Sequence, residues 1–212
     1  MGLQLLENSL ATGLGLAVII LIFAPLSGAH LNPAVSAADW VLGRRTRSGL
    51  TSLELGAYVP AQIAGAITGA ILANLMFALP AVSRSTTARS GGHLLLGEVV
   101  ATAGLILLIF MLVRSNRATY LPAAVGAYIA AAYWFTSSTS FANPAVTIGR
   151  AFTDTFAGIA PSSVPGFLAA EVVGAGVGLA LVLALCPLRS ARPRPSQAAA
   201  DLAYTPSHKR SA

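Results

Sequence analysis

Two short stretches hold the residue types on which a chemical role could rest. The first is Ser27-Gly28-Ala29-His30-Leu31-Asn32-Pro33-Ala34-Val35-Ser36, and its core tetrapeptide returns as Asn143-Pro144-Ala145-Val146. Asn before Pro is a helix-start signature. The Asn side chain caps amides that lack an intrahelical partner, and Pro at the first helical position has no N–H to leave unpaired. Both copies lie between long apolar runs, so each helix start falls at membrane depth. Non-helical backbone is tolerated there only where it is buried in protein or lines a water-filled cavity. One copy alone would read as an ordinary loop-to-helix junction; two, each flanked by membrane-length segments, point to a pore. Other chemistry is scarce. No nucleophile, base and orienting group occur together, so an enzyme is not expected. Three widely separated histidines have no metal-ligand spacing, and the single cysteine, Cys186, excludes an internal disulfide framework. Neither a metal nor a cofactor is expected.

The elements that must position the two stretches are membrane helices. Of 212 residues, 55% are hydrophobic and only 9% charged, with mean hydropathy +0.73; an average soluble domain is roughly 25% charged. The net charge of +6 comes from basic residues in short loops and the C-terminal tail, which fits membrane orientation better than nucleic-acid binding. No cleavable signal peptide is expected. A bilayer core about 30 Å thick needs about 20 apolar residues in a helix. Five segments qualify: 9–26, 53–79, 94–113, 120–139 and 164–186. Two shorter pieces, 33–42 and 144–152, follow the Asn-Pro pairs and read as half-membrane helices.

Of the 13 Lys and Arg, all but Arg84, Arg89 and Arg150 fall on one side if Arg44, Arg45, Arg47, Arg114, Arg117 and the tail are cytoplasmic. The positive-inside rule favours that orientation. The two Asn-Pro loops then enter the membrane from opposite faces. An internal repeat supports this: AQIAGAITGA at 61–70 resembles AEVVGAGVGL at 170–179. Each repeat runs helix, half-helix, helix, and the second is inverted. Segment 94–113 should open the second repeat; its counterpart would precede residue 9, so a first crossing helix is expected to be missing from this chain. A groove with apolar walls is expected in its place, beside 9–26 and the half-helix after Asn32. Gly65, Gly69, Gly174 and Gly178 have the spacing that lets helices approach closely. Residues 1–186 thus read as a channel domain, with a first repeat over 1–79, a second over 93–186, and 187–212 as a disordered cytoplasmic tail.

SGAHLNPAVS with a second Asn-Pro-Ala loop in an inverted repeat resembles the aquaporin and aquaglyceroporin family, over residues 9 to about 186. Glu98 and Thr102 match that family's Glu-x-x-x-Thr. The resemblance implies an all-α membrane fold of six crossing helices and two half-helices, of which five crossings are present here, and a homotetramer with one pore per protomer. It also implies that the family's filter arginine is replaced by Val146. The context around Asn143 is similar to a bacterial subgroup found with arsenic-detoxification genes.

In that fold, Asn32, Pro33 and Ala34 would meet Asn143, Pro144 and Ala145 at mid-membrane. Each half-helix N-terminus carries about half a positive charge, and the two Asn amides would offer donors to a passing oxygen while cations meet a barrier. Gapless offsets place the filter at Thr12, Ala131, Ser140 and Val146, small or medium and uncharged. Glu98, an acid in an apolar segment, is read as bonding the backbone of the second loop rather than relaying protons; Glu171, matched by Gln62, has the same structural reading. His30 either lines the cytoplasmic vestibule or is an ordinary loop histidine. Arg150 shares a helix face with Val146 and could reach back toward it, but the favoured reading makes it a cation at the half-helix C-terminus with Asp154 as partner.

The expected activity is passive passage of small uncharged solutes: glycerol-like polyols, neutral metalloid acids such as arsenite, and water. The expected setting is the lipid bilayer of a bacterial inner membrane, with no nucleic-acid partner. The alternatives are a coupled secondary transporter of inverted-repeat type and a non-conducting truncated homologue.

Overall fold

The computed structural model describes residues 2–46 and 48–186, which are entirely helix and loop. Seven helices follow in order: α1 (Gly2–Ser27), α2 (Pro33–Thr46), α3 (Ser52–Met76), α4 (Gly92–Arg114), α5 (Leu121–Phe135), α6 (Pro144–Gly149) and α7 (Val164–Leu185). Short 3₁₀ turns precede α5 at Ala118–Tyr120 and extend α6 at Arg150–Phe152. Four of the helices, α1, α3, α4 and α7, are long and apolar enough to cross a membrane. The crossing expected at 120–139 is shorter, 15 residues, and stops at Phe135. Helix α1 starts at Gly2 rather than residue 9, because Gln4, Glu7 and Asn8 are tolerated in a helix although they break the apolar run. The expected tail at 187–212 lies outside the described residues.

Helix starts follow from sequence. Thr51 and Glu54 close a capping box at α3: Glu54 N donates to Thr51 Oγ1 at 3.2 Å and Thr51 N to Glu54 Oε2 at 2.7 Å. Pro33 and Pro144 occupy the first positions of α2 and α6.

Glycines set two close helix pairs. On α7, an added Cβ at Gly174 would lie 2.6 Å from the Val99 carbonyl oxygen of α4, and one at Gly178 would lie 2.7 Å from that of Ala103. Between α1 and α5, a Cβ at Gly126 would stand 2.4 Å from the Gly13 carbonyl oxygen. Such spacing is reached only without a side chain, and it lets backbones approach where apolar burial gives no drive. Gly65 and Gly69 differ. They lie on α3 where Gly174 and Gly178 lie on α7, yet nothing stands within 4 Å of either. The expectation that all four mediate helix contacts therefore fails for α3, whose neighbours are α6, α2 and the Arg150 turn.

The core is a cluster at the centre, where Val35 and Ala38 of α2, Leu105 and Ile106 of α4, Ile129 and Tyr133 of α5, and Val182 of α7 meet. Helices α1 and α3 turn Leu14, Leu21, Leu53 and Leu72 outward. A cleft of 780 Å³ runs between the start of α1 (Gln4, Glu7, Asn8) and the second half of α3 (Ala66, Ala70, Asn74). Its floor is Val146 and Gly149 of α6 with Arg150 of the turn that follows.

Candidate pore

The two Asn-Pro turns meet and brace each other reciprocally. Asn32 Oδ1 accepts from Ala34 N at 2.9 Å, while its Nδ2 donates to the Ala142 carbonyl oxygen at 2.7 Å. Asn143 Oδ1 accepts from Ala145 N at 3.0 Å and Val146 N at 3.3 Å, and its Nδ2 donates to the Leu31 carbonyl oxygen at 3.0 Å. Each asparagine thus caps its own helix and fastens the other loop. An amide nitrogen carries two N–H groups, so each keeps one beyond this brace. Both asparagines line a cavity of 320 Å³, which the N-termini of α2 and α6 face.

Buried acids hold the second loop. Glu98 of α4 is fully buried and accepts from Phe141 N at 2.9 Å and Ala142 N at 2.7 Å. Glu171 of α7, also fully buried, accepts from Asn143 N at 3.0 Å and Thr147 Oγ1 at 2.7 Å with one oxygen; Oε2 has no partner. Gln62 does the matching work in the first repeat, donating to the His30 carbonyl oxygen and, at 2.9 Å, to Ser36 Oγ. Thr102 is buried where α4 meets Gly174, and its hydroxyl is unpartnered. His30 lines the cavity, edge-on to the Tyr58 ring at 5.9 Å, with Nδ1 buried and unpartnered.

Thr12, Ser140 and Val146 line the cavity at its Arg150 end. Ala131 does not: it is exposed, and Tyr133 occupies the α5 side instead. Two residues on a helix are roughly 200° apart, so a small error in the offset turns the wrong face inward. Loop 136–142, which joins α5 to the second Asn-Pro turn, takes left-handed backbone at Thr139, Ser140 and Ala142, with φ of 66°, 49° and 47°.

Arg150 stands at the C-terminus of α6, as the favoured reading has it, but Asp154 is not its partner. Its Nη2 donates to the Tyr133 hydroxyl at 2.9 Å, and its guanidinium carbon stands 4.6 Å from the Phe141 ring centre. Asp154 accepts instead from Thr86 N at 2.8 Å. The local spacing of four residues loses to loop 78–91, which brings Thr86 within reach of Asp154.

Sequence reasoning missed Tyr133, Phe141 and Arg89. Arg89 is buried and donates to the carbonyl oxygens of Gly158, Ser138 and Phe156 and to Thr139 Oγ1, tying the loops on both sides of α6 together. Burial and, after it, the Arg150 charge pull its pKa below the ordinary arginine value. A buried cation-to-be in a polar loop has no sequence signature.

A family model described as Major intrinsic protein matches residues 1–140. The chain belongs to the major intrinsic protein family. Its all-helical fold is aquaporin-like, and it is a multi-pass membrane protein of a channel family rather than an enzyme family. The chain is 50% identical over 191 residues to a protein named aquaglyceroporin AqpS from Rhizobium meliloti strain 1021, covering 90% of this chain and 78% of that one. A glycerol uptake facilitator protein of Pseudomonas aeruginosa is 39% identical over 71 residues, 34% of this chain and 24% of its own length. The propanediol uptake facilitator PduF of Citrobacter freundii is 38% identical over 79 residues, 35% and 26% of the two chains.

Proposed function

We propose that the chain is a passive channel for small uncharged solutes, namely glycerol-sized polyols, neutral metalloid acids such as arsenite, and water, and that it excludes ions and protons. The observation that carries this reading is the reciprocal Asn32–Asn143 brace at the point where two helix N-termini face one cavity. Amide donors and positive helix ends favour a solute oxygen and oppose a cation stripped of water. The names of the relatives, among them a glycerol facilitator and a propanediol facilitator, support the same solute class. Asn32, Pro33, Ala34, Asn143, Pro144 and Ala145 form the central constriction, and Thr12, Ser140 and Val146 the filter wall. Residues 1–186 act as the channel domain in a bacterial inner membrane as a homotetramer, with the C-terminal segment cytoplasmic.

A coupled transporter needs titratable groups on the solute path. The buried acids Glu98 and Glu171 are tied to backbone behind the second loop and do not line the cavity, and Asp39, which does line it beside His30, accepts from Leu50 N at 2.8 Å. The test is passage in vesicles carrying the full chain. Glycerol and arsenite should equilibrate without any ion gradient, at a rate unaffected by proton or sodium uncouplers. Uptake that collapses with the gradient would replace this reading with coupled transport, and no passage at all would make the chain non-conducting.

A further inference from the structure

The geometry assigns Arg150 as the charged, specificity-determining residue of the constriction, in place of an arginine at Val146. This rests on the channel reading above. The 320 Å³ cavity and the 780 Å³ cleft share only two lining residues, Val146 and Arg150, which therefore form the partition between them. Val146 supplies an apolar wall and Arg150 the only formal charge in that partition.

Three contacts hold Arg150 in place. Tyr133 accepts from Nη2 at 2.9 Å, the Ala157 carbonyl oxygen from Nη1 at 3.4 Å, and the Phe141 face lies under the guanidinium at 4.6 Å. Tyr133 is in turn 3.1 Å from Thr12 Oγ1, so a polar chain crosses the cavity from α6 through α5 to α1. No carboxylate bonds Arg150 among the described residues, and Arg89, whose guanidinium carbon is 5.1 Å from the Phe141 ring centre, adds a second positive charge. A guanidinium has five N–H donors, so several remain for a solute. The Ser140 hydroxyl, buried at the same end of the cavity, has no partner. The partition thus suits an uncharged, oxygen-rich solute whose oxygen accepts from Arg150 and whose hydroxyl donates to Thr12. It repels cations.

The tyrosine matters because arginine is long and flexible. Without the Tyr133 bond only the weak 3.4 Å contact to Ala157 and the Phe141 face hold the guanidinium, and its hold on the constriction loosens. Tyr133 is the positioning residue and Arg150 the one that meets solute.

The experiment uses the full chain in vesicles, with glycerol, erythritol and guanidinium as probes. Wild type should pass glycerol, restrict erythritol and exclude guanidinium. Arg150→Ala should raise erythritol passage, because the long side chain no longer narrows the constriction, and admit guanidinium, because the charge is gone. Arg150→Lys keeps the charge without the fork, so it should still exclude guanidinium while erythritol passage rises; a merely structural arginine would not separate the two. Glycerol passage with erythritol and guanidinium unchanged in Arg150→Ala overturns the assignment. If Arg150→Ala does not reconstitute, Tyr133→Phe decides in the same way: raised erythritol passage supports the assignment and an unchanged cutoff overturns it. Wild-type vesicles closed to glycerol overturn the channel reading, and this one with it.

Discussion

Gly174 of α7 and Gly65 of α3 occupy matching places in the two repeats and have opposite surroundings. An added Cβ at Gly174 would lie 2.6 Å from the Val99 carbonyl oxygen, whereas nothing stands within 4 Å of Gly65. The same substitution should therefore act oppositely at the two sites. Gly174→Ala forces α4 and α7 apart and should cost about 1–3 kcal/mol, as overpacking does. Gly65→Ala meets no neighbour and should be neutral or stabilising by up to about 1 kcal/mol through helix propensity. Unfolding of the two variants in detergent, side by side, gives the comparison. Equal destabilisation would mean that the Gly65 face is covered in the assembled protein.

Glu98 uses both carboxylate oxygens, whereas Glu171 leaves Oε2 without a partner. Glutamine keeps one acceptor and turns the other into a donor. Glu98→Gln thus sets an NH₂ against the Phe141 or Ala142 N–H and should cost about 1–3 kcal/mol, the range for leaving a buried donor unsatisfied. Glu171→Gln should cost clearly less, because Oε1 can still accept from Asn143 N and Thr147 Oγ1. The order of the two in a thermal melt checks the claim, and the reverse order would contradict it.

Val146 and Arg150 together separate the cavity from the cleft. Val146→Arg adds a second long cation to that partition. Glycerol passage should fall to the level of empty vesicles while water passage persists, measured by light scattering on the same preparation. Retained glycerol passage would show that Val146 does not border the narrow point.

The helices were largely legible, because apolar length and Asn-Pro chemistry are local properties of the chain. The expected half-helix after Asn32 begins at Pro33, and the one after Asn143 at Pro144. The repeat between AQIAGAITGA and AEVVGAGVGL also carried the pairing of Gln62 with Glu171, whose polar ends bond the first and second loops. Boundaries were less legible. Helix α1 runs seven residues further toward the N-terminus than its apolar stretch, since polar residues do not stop a helix where nothing competes for their backbone.

What the sequence alone determined is thus the class of the molecule: an all-helical membrane protein whose two Asn-Pro turns converge. Capping and apolar length act over a few residues and can be read without a partner. Only the tertiary structure decided which side chains meet at the constriction. Tyr133 rather than Ala131 faces the cavity, a choice of helix face made where α5 packs against α1 and α4. Asp154 lies four residues from Arg150, yet it bonds Thr86, and Arg150 bonds Tyr133. Those choices rest on contacts between segments far apart in the chain, and helical periodicity carries no information about them.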